Sequence, residues 1–180
     1  MKKLNVNDKA SLAMSGIALM LSIVAYVNGE IKGASEQQRT MRSQLTNVLG
    51  RIISSNLENT KAFRDAGQSD PFYYQQVSSI LNQQNAFLLQ QAMYVSEQIP
   101  SLVTTVELNT IALANASAGD IVVAERYYKR AIDTSPSDYY KSLATRSYAT
   151  FLFPQRRFEE GRDQFRKAVS LLKKKKGVTS

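Results

Sequence analysis

Two stretches of this chain repeat one another, and the repeat restricts the fold more than any other feature. Ala124, Tyr128 and Ala131 have the same spacing as Gly161, Phe165 and Ala168, and each equivalent pair is 37 residues apart. Residues three and four apart share one face of a helix. A large side chain on that face holds a neighbouring helix away. A small one admits it, and the aromatic one turn on fills the gap alongside. Self-similarity at a fixed period of roughly 20 to 50 residues marks stacked helical units. The spacing predicts an all-α chain whose last third is two helical hairpins, one beside the other.

Helix punctuation agrees with this. The first helix is expected over about 102–117, with Gly119-Asp120 as the turn and Asp120 capping the second helix. That helix ends before Pro136. A third is expected over about 138–153, stopped by Pro154, and the fourth lies in the segment "RRFEEGRDQFRKAVSLL". The adjacent pair Glu159-Glu160 suits the positive end of that fourth helix better than acid–base chemistry.

In the first unit Gly119, Ala124, Tyr128, Ala131 and Pro136, and in the second Phe158, Gly161, Phe165 and Ala168, form a pattern that resembles the tetratricopeptide repeat family. The resemblance covers about residues 102–172. The second unit departs from the pattern, with Gln155 and Arg156 where the family prefers a turn glycine. The period exceeds the family's usual length of about 34 by three, which places extra residues near 137–140. The resemblance implies a non-catalytic adaptor whose concave face, lined by the first helix of each hairpin, binds a protein partner. On that face it implies Asn109, Asn115, Arg146 and Tyr148 as candidate partner-binding residues. Two hairpins are fewer than the three a stable array needs, so a helix over 72–99 is expected to cap the front. Its end looks like a worn second helix, since Pro100 precedes Pro136 by 36 residues.

The segment "ASLAMSGIALMLSIVAYV", residues 10–27, has no charge. As a helix it reaches about 27 Å, close to a bilayer's hydrocarbon thickness. The expectation is a single transmembrane helix over 10–28 behind a basic tail, 1–9, with a cleaved signal peptide as the rival. Lys2, Lys3 and Lys9 before the segment balance Lys32, Arg39 and Arg42 after it, and the crowding of the first three in the short tail favours the N-terminus inside and the repeat domain outside. Ser11, Ser15, Ala18, Ser22 and Ala25 make a small-residue stripe suited to helix pairing, so a homo-oligomer is a further expectation.

Beyond a bend expected at Gly29 and Gly33, an amphipathic helix is expected over 31–63. Ile31, Ala34, Gln38, Met41, Leu45, Val48 and Ile52 alternate steps of three and four, and Leu49, Ile53 and Leu57 widen the face. This reads either as a short coiled coil or as a helix folded back on the domain. The stretch 64–71 is the linker, with Ser69 or Asp70 as the next cap and Pro71 in the first turn. In the 72–99 helix, Val77, Ile80, Leu81, Phe87, Leu88 and Val95 are expected on the buried face, with paired glutamines elsewhere. Ser101 is placed to start the helix after it.

Composition limits the chemistry. The chain has neither cysteine nor histidine, which removes thiolate sites, the commonest general base and the usual zinc and haem ligands. No phosphate-cradling glycine loop is present. No catalytic residue, cofactor or metal is expected, and the chain is read as not an enzyme. The net charge is +8, and the whole excess lies after residue 120, ending in the basic tail 173–180. The sequence therefore reads as a membrane-anchored adaptor. The alternatives are a self-associating structural membrane protein and a membrane-bound binder of polyanions, with nucleic acid not expected among the partners.

Overall fold

The computed structural model describes the backbone of residues 6–66 and 69–173, and side chains from residue 35 onward within those ranges. Among the described residues all six elements are helices: α1 Val6–Ala66, α2 Pro71–Gln98, α3 Thr105–Ser117, α4 Ile121–Asp133, α5 Asp138–Leu152 and α6 Phe158–Lys173. No strand occurs among the described residues. The chain divides into two compact units, residues 1–41 and residues 42–180.

In the first unit the backbone is helical from Val6, and the expected break at Gly29 and Gly33 is absent. A glycine inside a helix costs only about 1 kcal/mol, too little to end a helix by itself. Residues 35–40 are exposed, and the Thr40 hydroxyl donates to the Glu36 carbonyl at 3.0 Å. The side chains of the apolar run and its small-residue stripe lie outside the described residues, and so does the basic tail beyond Lys173. Among the described residues no helix is long and apolar enough to cross a membrane.

The second unit is a row of helical hairpins. The last turns of α1 fold back against α2. Leu45, Val48, Leu49 and Ile52 are buried, the Asn85 side-chain amide donates to Asn56 at 3.1 Å, and Phe63 meets Tyr74 edge to face at 5.4 Å. Of the two readings for this segment, the folded-back helix holds over residues 42–66. The widened apolar face holds only at Leu49, because Ile53 and Leu57 are exposed.

Asp70 caps α2 by accepting from the Tyr73 amide at 2.9 Å, with Pro71 in the first turn. The cap of α3 is Thr104, not Ser101. Thr104 and Glu107 exchange side-chain and backbone bonds in a capping box. Asp120 caps α4 through the Val123 amide at 3.1 Å. The reverse turn before α4 puts Gly119 at φ +86°, a left-handed conformation that glycine adopts without a Cβ penalty.

Each hairpin packs on the next, with α3 against α4, α5 against α6, and α4 and α3 both against α5. At the front, α2 packs on α3, and its Ser96 and Glu97 bond to Tyr127 and Arg130 of α4. The α1–α2 pair therefore supplies a third antiparallel hairpin to the row. Leu88, Ala92 and Val95 are buried in α2 as Ala124, Tyr128 and Ala131 are in α4, each 36 residues later.

The small residues sit where helices come close. Ala124, Ala131, Gly161 and Ala168 are buried. A Cβ on Gly161 would lie 2.8 Å from the Phe153 ring and 3.3 Å from the Ala149 carbonyl. The Ser142 hydroxyl reaches the Ala168 carbonyl at 2.7 Å across the same contact. Tyr128 is buried against Phe151, ring centroids 5.0 Å apart. Its counterpart Phe165 is half-buried, packed on Phe153 at 5.9 Å. Pro136 and Phe158 are exposed at the hairpin ends. From Thr105 and Ser142 onward the two units run in one register 37 residues apart, through Gly119 and Arg156 to Ala131 and Ala168, and α5 begins at Asp138, four residues ahead of that register, so the extra residues lie in its first turn, 138–141.

Candidate binding surface

The first helices of the two C-terminal hairpins, α3 and α5, lie side by side. On α3, Val106 and Leu113 are exposed one heptad apart, with Asn109 half-buried between them. The Asn109 Oδ1 has no hydrogen-bond partner. On α5, Tyr139, Arg146 and Thr150 are exposed. Of the four residues assigned to partner binding, Asn109 and Arg146 therefore lie at or next to this surface.

Asn115 and Tyr148 do not. Asn115 is buried, and its amide donates to the Ile111 carbonyl at 2.8 Å. A short polar side chain satisfied by its own helix fits inside a close hairpin contact. Tyr148 is buried with its ring near Tyr128, at 6.2 Å. Its hydroxyl donates to Glu125 at 2.7 Å and lies 3.2 Å from Glu160.

That hydroxyl belongs to a charged clasp between the hairpins. Arg157, at the start of α6, donates two bonds to Glu125 of α4, at 2.6 and 3.1 Å. It donates two more to Glu160, at 2.8 and 2.7 Å. Such paired donation is the strongest form of carboxylate recognition by arginine. The Arg157 bonds, opposed in part by burial, bring the Glu125 carboxyl down to about 2, with Lys129 and Tyr148 assisting. The Arg157 guanidinium is held still more firmly in its charged form. Burial, and then the Glu125 bond, raise the Tyr148 phenol. Each carboxylate has its cation, so the cluster is a structural joint without a poised acid or base. Glu125 and Arg157 were not singled out in the sequence. They are 32 residues apart, and only the i, i+4 pair Glu125–Lys129 marks the spot.

A second ion pair ties α1 to α3, where Arg42 donates to Glu107. Burial alone raises the Glu107 carboxyl, but the bonds from Arg42 and Thr104 outweigh it and the net shift is downward. Between α1, α2 and the end of α3 lies a groove of about 340 Å³, bordered by Asn56, Asn82, Asn85 and Ser117 over Ile52 and Leu89. Its polar groups are amides and a hydroxyl, suited to hydrogen bonding and not to proton transfer. No group of three or more metal-binding side chains occurs among the described residues.

No protein-family model, curated protein or solved structure matches this chain.

Proposed function

We propose that this chain is a membrane-anchored adaptor with a tetratricopeptide-like domain, which recruits another protein on the outward side of α3 and α5. Residues 10–27 serve as the anchor in this reading, with the hairpin domain beyond it on the outer side of the membrane. The observation that carries the binding role is the group Val106, Asn109 and Leu113. Two exposed apolar side chains flank Asn109, whose amide oxygen is enclosed and has no partner within the protein. A peptide or helix laid across them buries the apolar pair. Arg146 on the neighbouring helix adds a fixed positive charge that favours an acidic residue in the partner.

The order of the hairpins supports the same reading. The second helix of each unit packs on the first helix of the next, and the small-aromatic-alanine positions recur in register. The test is affinity capture with the full chain in its membrane, comparing the wild type with Val106→Glu and Leu113→Glu. The expected result is a specific protein partner lost in both variants while the helical signal is unchanged. Capture that is indifferent to both substitutions overturns the reading.

A further inference from the structure

Helix α2 carries two apolar stripes. Leu81, Leu88 and Val95 face the core. Tyr73, Ile80, Phe87 and Tyr94 face solvent, each between 53 % and 68 % exposed. The outer four are spaced by seven residues. Seven residues fall about 20° short of two full helical turns, so the stripe winds gently leftward around α2, as the seam of a coiled coil does. We propose that this stripe is the contact between two copies of the chain, which pair α2 against α2 in antiparallel fashion.

Three observations select a second copy as the occupant. The first is charge. Helix α2 contains a single charged residue, Glu97, in a chain of net charge +8. Two cationic molecules meet there without apposing like charges, and depletion of charge is the mark of interface cores.

The second is self-complementarity, which a two-fold contact requires. About an axis between positions 83 and 84, Ile80 comes level with Phe87 of the second copy, and Tyr73 with Tyr94. In an antiparallel pair each flank of the stripe faces the same flank of the copy. Gln83 then meets Gln83, Gln84 meets Gln84, and Gln76 meets Gln90. A glutamine amide both donates and accepts, so it pairs with its own kind.

The third is area. The four side chains and their flanking glutamines offer on the order of 800 Å² per copy, the share each partner gives to a stable interface of standard size.

The absence of cysteine in the chain gives a clean test. Full-length protein in detergent carries a single cysteine, either Gln84→Cys beside the axis or Tyr73→Cys at the far end. The pairing brings two copies of position 84 together and holds two copies of position 73 about 30 Å apart. The expected result is a disulfide-linked dimer from Gln84→Cys and none from Tyr73→Cys. Adding Phe87→Glu or Ile80→Glu to Gln84→Cys places an unpaired charge in the contact and is expected to lower dimer yield about tenfold or more. Both side chains point to solvent, so helical content is expected to stay at the wild-type level.

Linkage through Tyr73→Cys only, no linkage through Gln84→Cys, or a yield indifferent to both glutamates overturns the proposal. In native membranes, a benzophenone attached at position 84 is expected to capture a second copy. Its attachment to a different protein, or to lipid only, overturns it as well.

Discussion

Gly119 and Arg156 hold the same left-handed backbone position in successive hairpin turns, 37 residues apart, at φ +86° and +60°. The glycine adopts it freely. The arginine carries a Cβ that crowds the following carbonyl, at a cost of about 1 kcal/mol. Arg156→Gly is therefore expected to stabilise the fold by about 1 kcal/mol, and Gly119→Ala to destabilise it by about as much. Urea unfolding of the two variants beside the wild type measures both signs.

The contact at Gly161 has little slack. Gly161→Leu drives a side chain into Phe153 and the Ala149 carbonyl, and overpacking of this kind costs about 1 to 3 kcal/mol. Adding Phe153→Leu opens space and is expected to recover part of the loss. A double-mutant cycle by thermal unfolding reads the coupling, and strict additivity of the two changes contradicts the close approach.

The clasp predicts an acid limit. The Glu125 carboxyl is depressed to about 2 in the folded chain. Its stabilising contribution is therefore complete above the ordinary carboxylate range near pH 4.5, and it is lost as pH falls toward the folded value. Glu125→Gln is expected to lower stability by about 2 kcal/mol near neutral pH. The gap between variant and wild type should then narrow steadily on acidification. Melting temperatures of both across an acid series check this, and a gap that widens toward low pH refutes the clasp.

Glu107 does two tasks at once. It closes the capping box with Thr104, and it accepts from Arg42 of α1. Arg42→Ala removes only the second bond, at about 1 kcal/mol, while Glu107→Ala removes both and is expected to cost about 2 kcal/mol. Chemical denaturation ranks the two, and equal losses would show that the cap adds nothing.

Much of the helical pattern was legible because it rests on local rules. Asp70, Pro71, Gly119 and Asp120 act at their own positions, and the alanines mark close contacts wherever they recur. The failures on α2 share a source, which is that apolar spacing does not say which side of a helix faces inward. Ile80 and Phe87 fit the buried face of α2 by periodicity, yet they are exposed, while Leu89 and Ala92 are buried. Two apolar stripes on one helix give overlapping signals until the neighbours are known. The same limit affected the candidate surface. Asn115 and Tyr148 looked available as polar side chains on first helices, but each has its hydrogen bonds inside the hairpin stack. Leu113 carries no polar group, and only its exposure marks it as part of that surface. The helix through Gly29 and Gly33 shows the opposite case, where a local breaker was overruled by the helical residues on either side.

The unequal cover of Tyr128 and Phe165 sets an order of opening. Tyr128 is shielded by the hairpin that follows it, whereas among the described residues no element follows α6 to shield Phe165. In a row of units that touch only their neighbours, fraying begins at the end with fewest contacts. Amide hydrogens of α6 should exchange with deuterium first and those of α3 last. The Arg157 joint then serves as the latch that keeps the final unit from peeling away.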